Sequence, residues 1–223
     1  MSADQYEATE PAAGTSTGVR PRGGRMPRKE RRAQLLESAL EVFVAQGYHA
    51  AAMDDIADRA GVSKPVLYQH FPGKLDLYQA LLETAADQII KNCRRALAST
   101  EDNKLRVAAA MDVFYGYVAE RSGAFRLVFE SDLTNEPAVR AQVDRVTTGC
   151  ATAIAEVIHD DTGLDDEASM LLAVSLVGMA QVSARYWLVD GGGLTREQAT
   201  ALVSGLAWRG IGGYPRTDEA PEA

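Results

Sequence analysis

From Pro27 to about residue 210, the apolar residues of this 223-residue chain recur every three or four positions. No stretch alternates apolar and polar with β-branched enrichment, as a strand would. The pattern predicts an all-α protein, long enough to bury a sizeable core. A first helix is expected over Arg28–Gln46, with Leu35, Leu36, Ala39, Leu40, Phe43 and Val44 on one face and Gly47 as its stop. A short helix follows at Met53–Ala60, stopped by Gly61. A third begins after Ser63, its expected cap, carries Pro65 in its first turn and ends near Phe71 at the Pro72–Gly73 breaker. A long helix is expected over Leu75–Leu97, where Tyr78, Leu82, Ala85, Ile89, Cys93 and Leu97 share a face. Further helices are read at Lys104–Arg121, Ala124–Glu130, Pro137–His159, Asp166–Val189 and Thr195–Trp208, separated by Gly-, Asp- and Pro-containing breakers. Residues 1–25 show no periodicity and read as a tail ending in Arg20, Arg22 and Arg25, either an arm that finds phosphates or a solvated leader. Residues 212–223 read as a second tail.

Charge divides the chain further. The net charge of −8 argues against nucleic acid when taken alone. Residues 20–74, however, carry ten Lys/Arg against six Asp/Glu, so +4, whereas 75–223 carry thirteen against 22, so −9. A small polyanion-binding module in front of a larger acidic domain fits that gradient. The expected division is 26–74 for the basic module and 75–211 for the acidic domain.

The segment Met53–Lys74, MDDIADRAGVSKPVLYQHFPGK, reads as helix, three-residue turn, short helix and breaker. Gly61 permits the sharp turn, and Ala57, Val62 and Leu67 are spaced to pack the two helices together. This is the layout of a helix-turn-helix, whose second helix enters the major groove. No acid lies between Val62 and Phe71. Lys64, Tyr68, Gln69 and His70 are expected on the exposed face, with Lys74 just beyond. Lys, Tyr and His donate to phosphate oxygens, Gln69 suits a base edge, Lys64 suits a guanine or a phosphate, and Pro65 or Val66 suits a thymine methyl. On spacing alone, an amphipathic helix pair with a solvated polar face is the alternative.

Residues 28–75 closely resemble the DNA-binding domain of TetR-family transcriptional regulators. The resemblance rests on "VFVAQGY", "DDIADRAGVS" and "LYQHFPGKLDLY". It implies phosphate contacts at Tyr68, His70 and Lys74 and groove-facing positions at Ser63, Lys64, Pro65, Val66 and Gln69. The family's usual hydroxyl at the start of the second helix is missing, because Ala51 and Ala52 stand there, so Asp54 is expected to serve instead as the cap or as the first-turn acid. The runs "GYHAAAMDDIADRAGVSKPVLYQHF", "FRLVFESD" and "LVGMAQVSARYWL" are similar to the FasR-type group of actinobacterial fatty-acid-synthesis regulators. That similarity implies control of fatty-acid synthesis genes and release from DNA by long-chain acyl-CoA.

The second domain reads as a helical bundle with aliphatic inner faces. Candidate ligand contacts are Ile89, Cys93 and Leu97; Val107, Met111, Phe114 and Val118; Phe125 and Phe129; Val146 and Cys150; and Leu172, Met179 and Tyr186. A filled core is the alternative for each of them. Small residues such as Ala110, Gly116, Gly149 and Ala180 leave room between the large ones, and each buried methylene of a ligand contributes about 0.8 kcal/mol. Leu171, Val174, Leu202, Leu206 and Trp208 lie on further faces of the last two helices, where a homodimer would pack, as TetR-like proteins do. A palindromic operator is then expected.

Two cysteines, Cys93 and Cys150, and the histidines His49, His70 and His159 match no zinc spacing, so no metal or cofactor is expected beyond the effector. Two reduced thiols and the lack of an apolar leader suggest a cytoplasmic protein. The longest uncharged run, Ala168–Ala184, is 17 residues, short for a membrane span of about 20. GxSxG and HExxH are absent, and no motif arranges Ser, His and Asp for catalysis, so an enzyme is not expected. The remaining alternatives are a TetR-type repressor for another hydrophobic molecule, or a non-enzymatic acyl-binding carrier module. The latter leaves the basic helix pair unexplained.

Overall fold

The computed structural model describes residues 26–119, 133, 136–190 and 193–210. Expectations for the two tails, for the helix at 124–130 and for Phe125 and Phe129 lie outside the described residues. Among those described there are eight helices and no strand: α1 Arg28–Ala50, α2 Met53–Ala60, α3 Lys64–His70, α4 Lys74–Leu97, α5 Asn103–Ala119, α6 Pro137–Thr162, α7 Asp166–Asp190 and α8 Arg196–Arg209.

The helix ends follow local chemistry. Gly47 takes φ 76 and ψ 165, which breaks the helical path of α1 three residues before its nominal end. Gly61 adopts the left-handed conformation (φ 64, ψ 35) that ends α2. Its N–H and that of Val62 donate to Asp58 and Ala57 carbonyls at 3.1 and 3.0 Å. Ser63 occupies the cap position of α3, but its hydroxyl makes no capping hydrogen bond. Its carbonyl instead accepts from Val66 and Leu67. Ala52 leads into α2 without a side-chain cap, and Asp54 and Asp55 fill the first turn. At α8, Thr195 and Gln198 form a reciprocal capping box.

Leu35, Ala39, Phe43, Ile56, Ala57 and Leu67 are almost fully buried and hold α1, α2 and α3 together. The same core continues through Leu77, Tyr78, Leu82 and Ile89 of α4 to Val146 and Cys150 of α6 and Val177 of α7. Helix α4 therefore belongs to both halves of the molecule. A separate small core of Tyr115, Val118, Ala184 and Ala199 anchors α8, with the Tyr115 hydroxyl donating to Ser183 Oγ at 2.8 Å.

Helix α7 presents its small residues inward and its large ones outward. Ser169, Ala173, Val177, Ala180 and Ala184 are buried. Leu171, Val182, Tyr186 and Val189 are 68%, 72%, 65% and 68% exposed. By length and composition α7 is apolar enough to cross a membrane, with a mean hydropathy of 1.4 in its best window. In this fold its inward face packs on α6.

Candidate nucleic-acid interface and apolar pocket

Helix α3 sits on the surface with Leu67 as its single buried anchor. Ser63, Lys64, Pro65, Tyr68 and Gln69 are exposed, and Val66 and His70 are half-buried. One concave surface joins Ser63, Val66, Gln69 and His70 to Met26, Pro27, Arg28 and Arg31 at the start of α1. The sequence reading did not single out Arg28, Arg31 or Arg32; the run RKERR at the head of the first helix was the available signal. The Arg32 guanidinium lies 4.5 Å over the Phe71 ring, at the end of α3. Burial, then the charges of Arg28, Arg32 and Arg31, hold the His70 imidazole below its usual pKa. Those groups form a cationic rim beside the exposed face of α3, suited to the anionic backbone of a duplex. Lys64 Nζ donates to Asp54 Oδ2 at 2.6 Å, and both side chains are exposed. Such an exposed pair contributes little to stability, so a phosphate can displace the carboxylate easily.

Lys74 has a different place from the one its family role implies. Its ammonium donates to the carbonyls of Tyr48, His49 and Ala51 at 2.8, 3.2 and 2.8 Å, and lies 4.6 Å over the Tyr48 ring. All three donors of the group are thus engaged inside the protein. The break at Gly47 leaves those carbonyls without helical partners, and the first residue of α4 supplies them. Tyr48 and Tyr78 pack edge-on at 5.0 Å, as do Phe43 and Tyr78 at 5.1 Å, which adds an aromatic contact between α1 and α4. Replacing Lys74 with Met should lower unfolding stability by about 2 kcal/mol, because the part-buried carbonyls of Tyr48 and Ala51 lose a charged donor, along with the exposed carbonyl of His49. Urea unfolding followed by circular dichroism measures this, and an unchanged midpoint would refute the clasp.

The second site is an apolar pocket between α4, α5, α6 and α7. Ile89, Cys93 and Leu97 line it from α4, Val107, Met111 and Phe114 from α5, and Val146 and Cys150 from α6. These eight are sequence candidates that the fold brings together. Asn92, Ala110, Val113, Tyr117, Ile154, Leu176, Val177, Ala180 and Gln181 complete the wall. The cavity measures about 80 Å³, or about 770 Å³ with its open mouth included. The former is room for a few waters. A long chain therefore enters only if the helices part.

Four candidates fall elsewhere. Val118 is buried in the small core under α8. Leu172 and Tyr186 are 46% and 65% exposed, and Met179 is half-buried away from the pocket wall. The correction has a simple cause: α7 is apolar on several faces, and close packing on α6 selects its alanines, not its bulkiest side chains. Polar wall groups are sparse, and Gln181 Nε2 already donates to Thr147 Oγ1 at 3.1 Å. Among the described residues no cluster of His, Cys, Asp or Glu is arranged to hold a metal.

Comparison with known proteins fits this geometry. Residues 35–81 match the family described as bacterial regulatory proteins, tetR family. The HTH-type transcriptional activator FasR of Mycolicibacterium smegmatis is 46% identical over 90% of this chain and 91% of that relative. A TetR-like transcriptional regulator from Rhodococcus is 27% identical, with a TM-score of 0.63 over 85% of this chain and all of that one. FadR from Bacillus subtilis, solved in complex with stearoyl-CoA, shares the fold at a TM-score of 0.67 and 19% identity, covering 80% of this chain and 98% of that one.

Proposed function

Because the chain belongs to the TetR family of bacterial transcriptional regulators, we propose that it controls fatty-acid synthesis genes and leaves its operator when long-chain acyl-CoA binds. In this reading residues 26–74 bind DNA, and 75–211 bind the effector and a second copy of the chain. The carrying observation is that α4 spans both tasks: Lys74 clasps the DNA-binding unit at one end, and Ile89, Cys93 and Leu97 wall the pocket at the other. The similarity to FasR and the stearoyl-CoA bound to FadR support the choice of ligand.

The mechanism is a population shift. An acyl chain that wedges α4 from its neighbours favours one tilt of that helix. The ligand acts only to the extent that it binds the two tilts differently. Two copies meet through the outward faces of α7 and α8. There Leu171, Val174, Val182, Tyr186 and Val189 form a stripe over five turns, beside Leu202, Leu206 and Trp208. The recognition helices of such a dimer reach successive major grooves about 34–36 Å apart on a palindrome. The protein works in the cytoplasm and carries out no catalysis.

The direct test is a gel-shift titration of a palindromic promoter fragment at several salt concentrations, with and without palmitoyl-CoA. Salt-dependent binding reversed by palmitoyl-CoA is expected; release only by unrelated apolar drugs would favour the reading of a different hydrophobic effector. Tyr68→Phe combined with His70→Ala should weaken binding to all sequences alike and reduce the salt slope by at most about 1, because only a protonated His70 releases a counterion. Burial, then the arginines, depresses His70; the negative charge of an adjoining phosphate opposes both, so the bound state has the higher imidazole pKa. Operator binding then takes up a proton, and affinity rises as pH falls below the ordinary imidazole value of about 6.5. The double variant should lose that rise, measured by fluorescence anisotropy across pH; its persistence would remove His70 from the interface.

A further inference from the structure

Cys93 on α4 and Cys150 on α6 both line the apolar pocket, and both are free thiols. The two helices approach unusually closely beside them. A Cβ added at Gly149 would lie 2.6 Å from Ile90 Cδ1, one residue from Cys150 and three from Cys93. The thiols interact: hydrogen bonding with Cys150 holds Cys93 below the ordinary thiol range against the effect of burial, and Arg94 adds to the lowering. Cys150 is pushed the other way by the same partner and by burial. Cys93 is half-buried and Cys150 buried, so a reagent reaches the Cys93 sulfur first and the Cys150 sulfur is held in reserve behind it.

We propose that Cys93 and Cys150 are a peroxide-reactive pair, which an organic hydroperoxide with an apolar tail converts into a disulfide tying α4 to α6 across the pocket wall. The Cys93 sulfur attacks the terminal oxygen of the hydroperoxide, and the O–O bond breaks. The alkoxide leaves as the alcohol with the proton that Cys93 gave up, and Cys93 becomes a sulfenic acid. The Cys150 sulfur then attacks the Cys93 sulfur, and the S–O bond breaks. The departing hydroxide takes the Cys150 proton and leaves as water. Two thiols are oxidised by two electrons, and one hydroperoxide is reduced to an alcohol and water. The wall of Ile89, Leu97, Val107, Met111 and Phe114 selects an oxidant with hydrocarbon to bury. The covalent step stands on this geometry alone, and only its effect on DNA rests on the regulatory reading above. Because a long chain enters by parting the helices, a bridge between α4 and α6 keeps it out, and the oxidised protein stays on its operator.

The test uses the full reduced chain, freed of reductant and treated with cumene hydroperoxide or hydrogen peroxide. Cumene hydroperoxide should remove both titratable thiols and two hydrogens from the intact mass, without linking chains on a non-reducing gel. It should react about 10-fold faster than hydrogen peroxide, the factor that about two buried methylenes supply. Cys150→Ser should stall at a sulfenic acid trapped by dimedone, and Cys93→Ser should not be oxidised at sulfur. The oxidised wild type should need about 10-fold more palmitoyl-CoA for release, a coupling within the usual allosteric range, and dithiothreitol should restore the response. Thiols that remain titratable, bridges between chains, oxygen gained at methionine instead, or equal rates for the two peroxides would overturn the pair. An unchanged palmitoyl-CoA response after oxidation would overturn its regulatory effect. Reduced protein that palmitoyl-CoA never releases would instead refute the effector reading, with the thiol chemistry still measured.

Discussion

Val182→Asp should give a folded monomer that has lost at least ~100-fold in affinity for a palindromic operator. Val182 is 72% exposed in the single chain and central to the α7 stripe. Gly178, one turn before it, has nothing within 4 Å of where a Cβ would stand, so this face is open in a single chain. Within the proposed dimer the carboxylate would be buried against apolar partners, where an uncompensated charge costs several kcal/mol. Within one chain the same side chain stays in water and disturbs no buried contact. Two recognition helices held on one body gain an effective-concentration advantage that separate monomers forfeit, hence the size of the loss. Analytical ultracentrifugation, circular dichroism and anisotropy on the same sample check it. A dimer that persists, or a monomer that binds as well as the wild type, would move the interface elsewhere.

Phe114→Trp should raise the palmitoyl-CoA concentration needed for release by about 100-fold or more, while operator affinity without ligand stays at the wild-type level. The argument is spatial. In a cavity of only about 80 Å³, an indole in place of the Phe114 ring takes the room that the first part of an acyl chain needs. At about 0.8 kcal/mol per methylene, exclusion of four carbons from burial exceeds the ~2.7 kcal/mol that 100-fold represents. Overpacking costs about 1–3 kcal/mol of stability, so the variant is compared by thermal melting before the titration. Leu97→Trp, from the α4 side of the same wall, should act alike. Normal release in both variants would mean that the effector binds elsewhere.

The helices were legible in the sequence because their punctuation is local. Gly47, Gly61, Pro65 and the Pro72–Gly73 pair each act within a few residues, and the observed ends fall close to them. The pocket wall of α4 and α6 was legible for a related reason: those helices carry a distinct apolar stripe, so period alone selects Ile89, Cys93, Val146 and Cys150. Helix α7 defeated the same logic. Its Ala168–Ala184 run is apolar or small on every side, so periodicity carries no direction, and packing density decides which face turns in. Lys74 illustrates a second limit. A lysine beside a helix-turn-helix suits a phosphate, but the orphan carbonyls that claim it exist only once Gly47 breaks α1, 27 positions earlier in the chain. Ser63 is a third case, since the turn geometry satisfied the first N–H groups of α3 through its carbonyl and left the hydroxyl unused.

The clasp at Lys74 makes a stiff lever of the longest element the two halves share. At 1.5 Å per residue the 24 residues of α4 form a rod of roughly 36 Å, so a tilt of about 5° at one end carries the other about 3 Å. Nothing in that arithmetic depends on what does the pushing. Wall residues such as Val107 or Ile154 can therefore drift toward new chemistry while the reading head remains calibrated, which makes the sensor an exchangeable part.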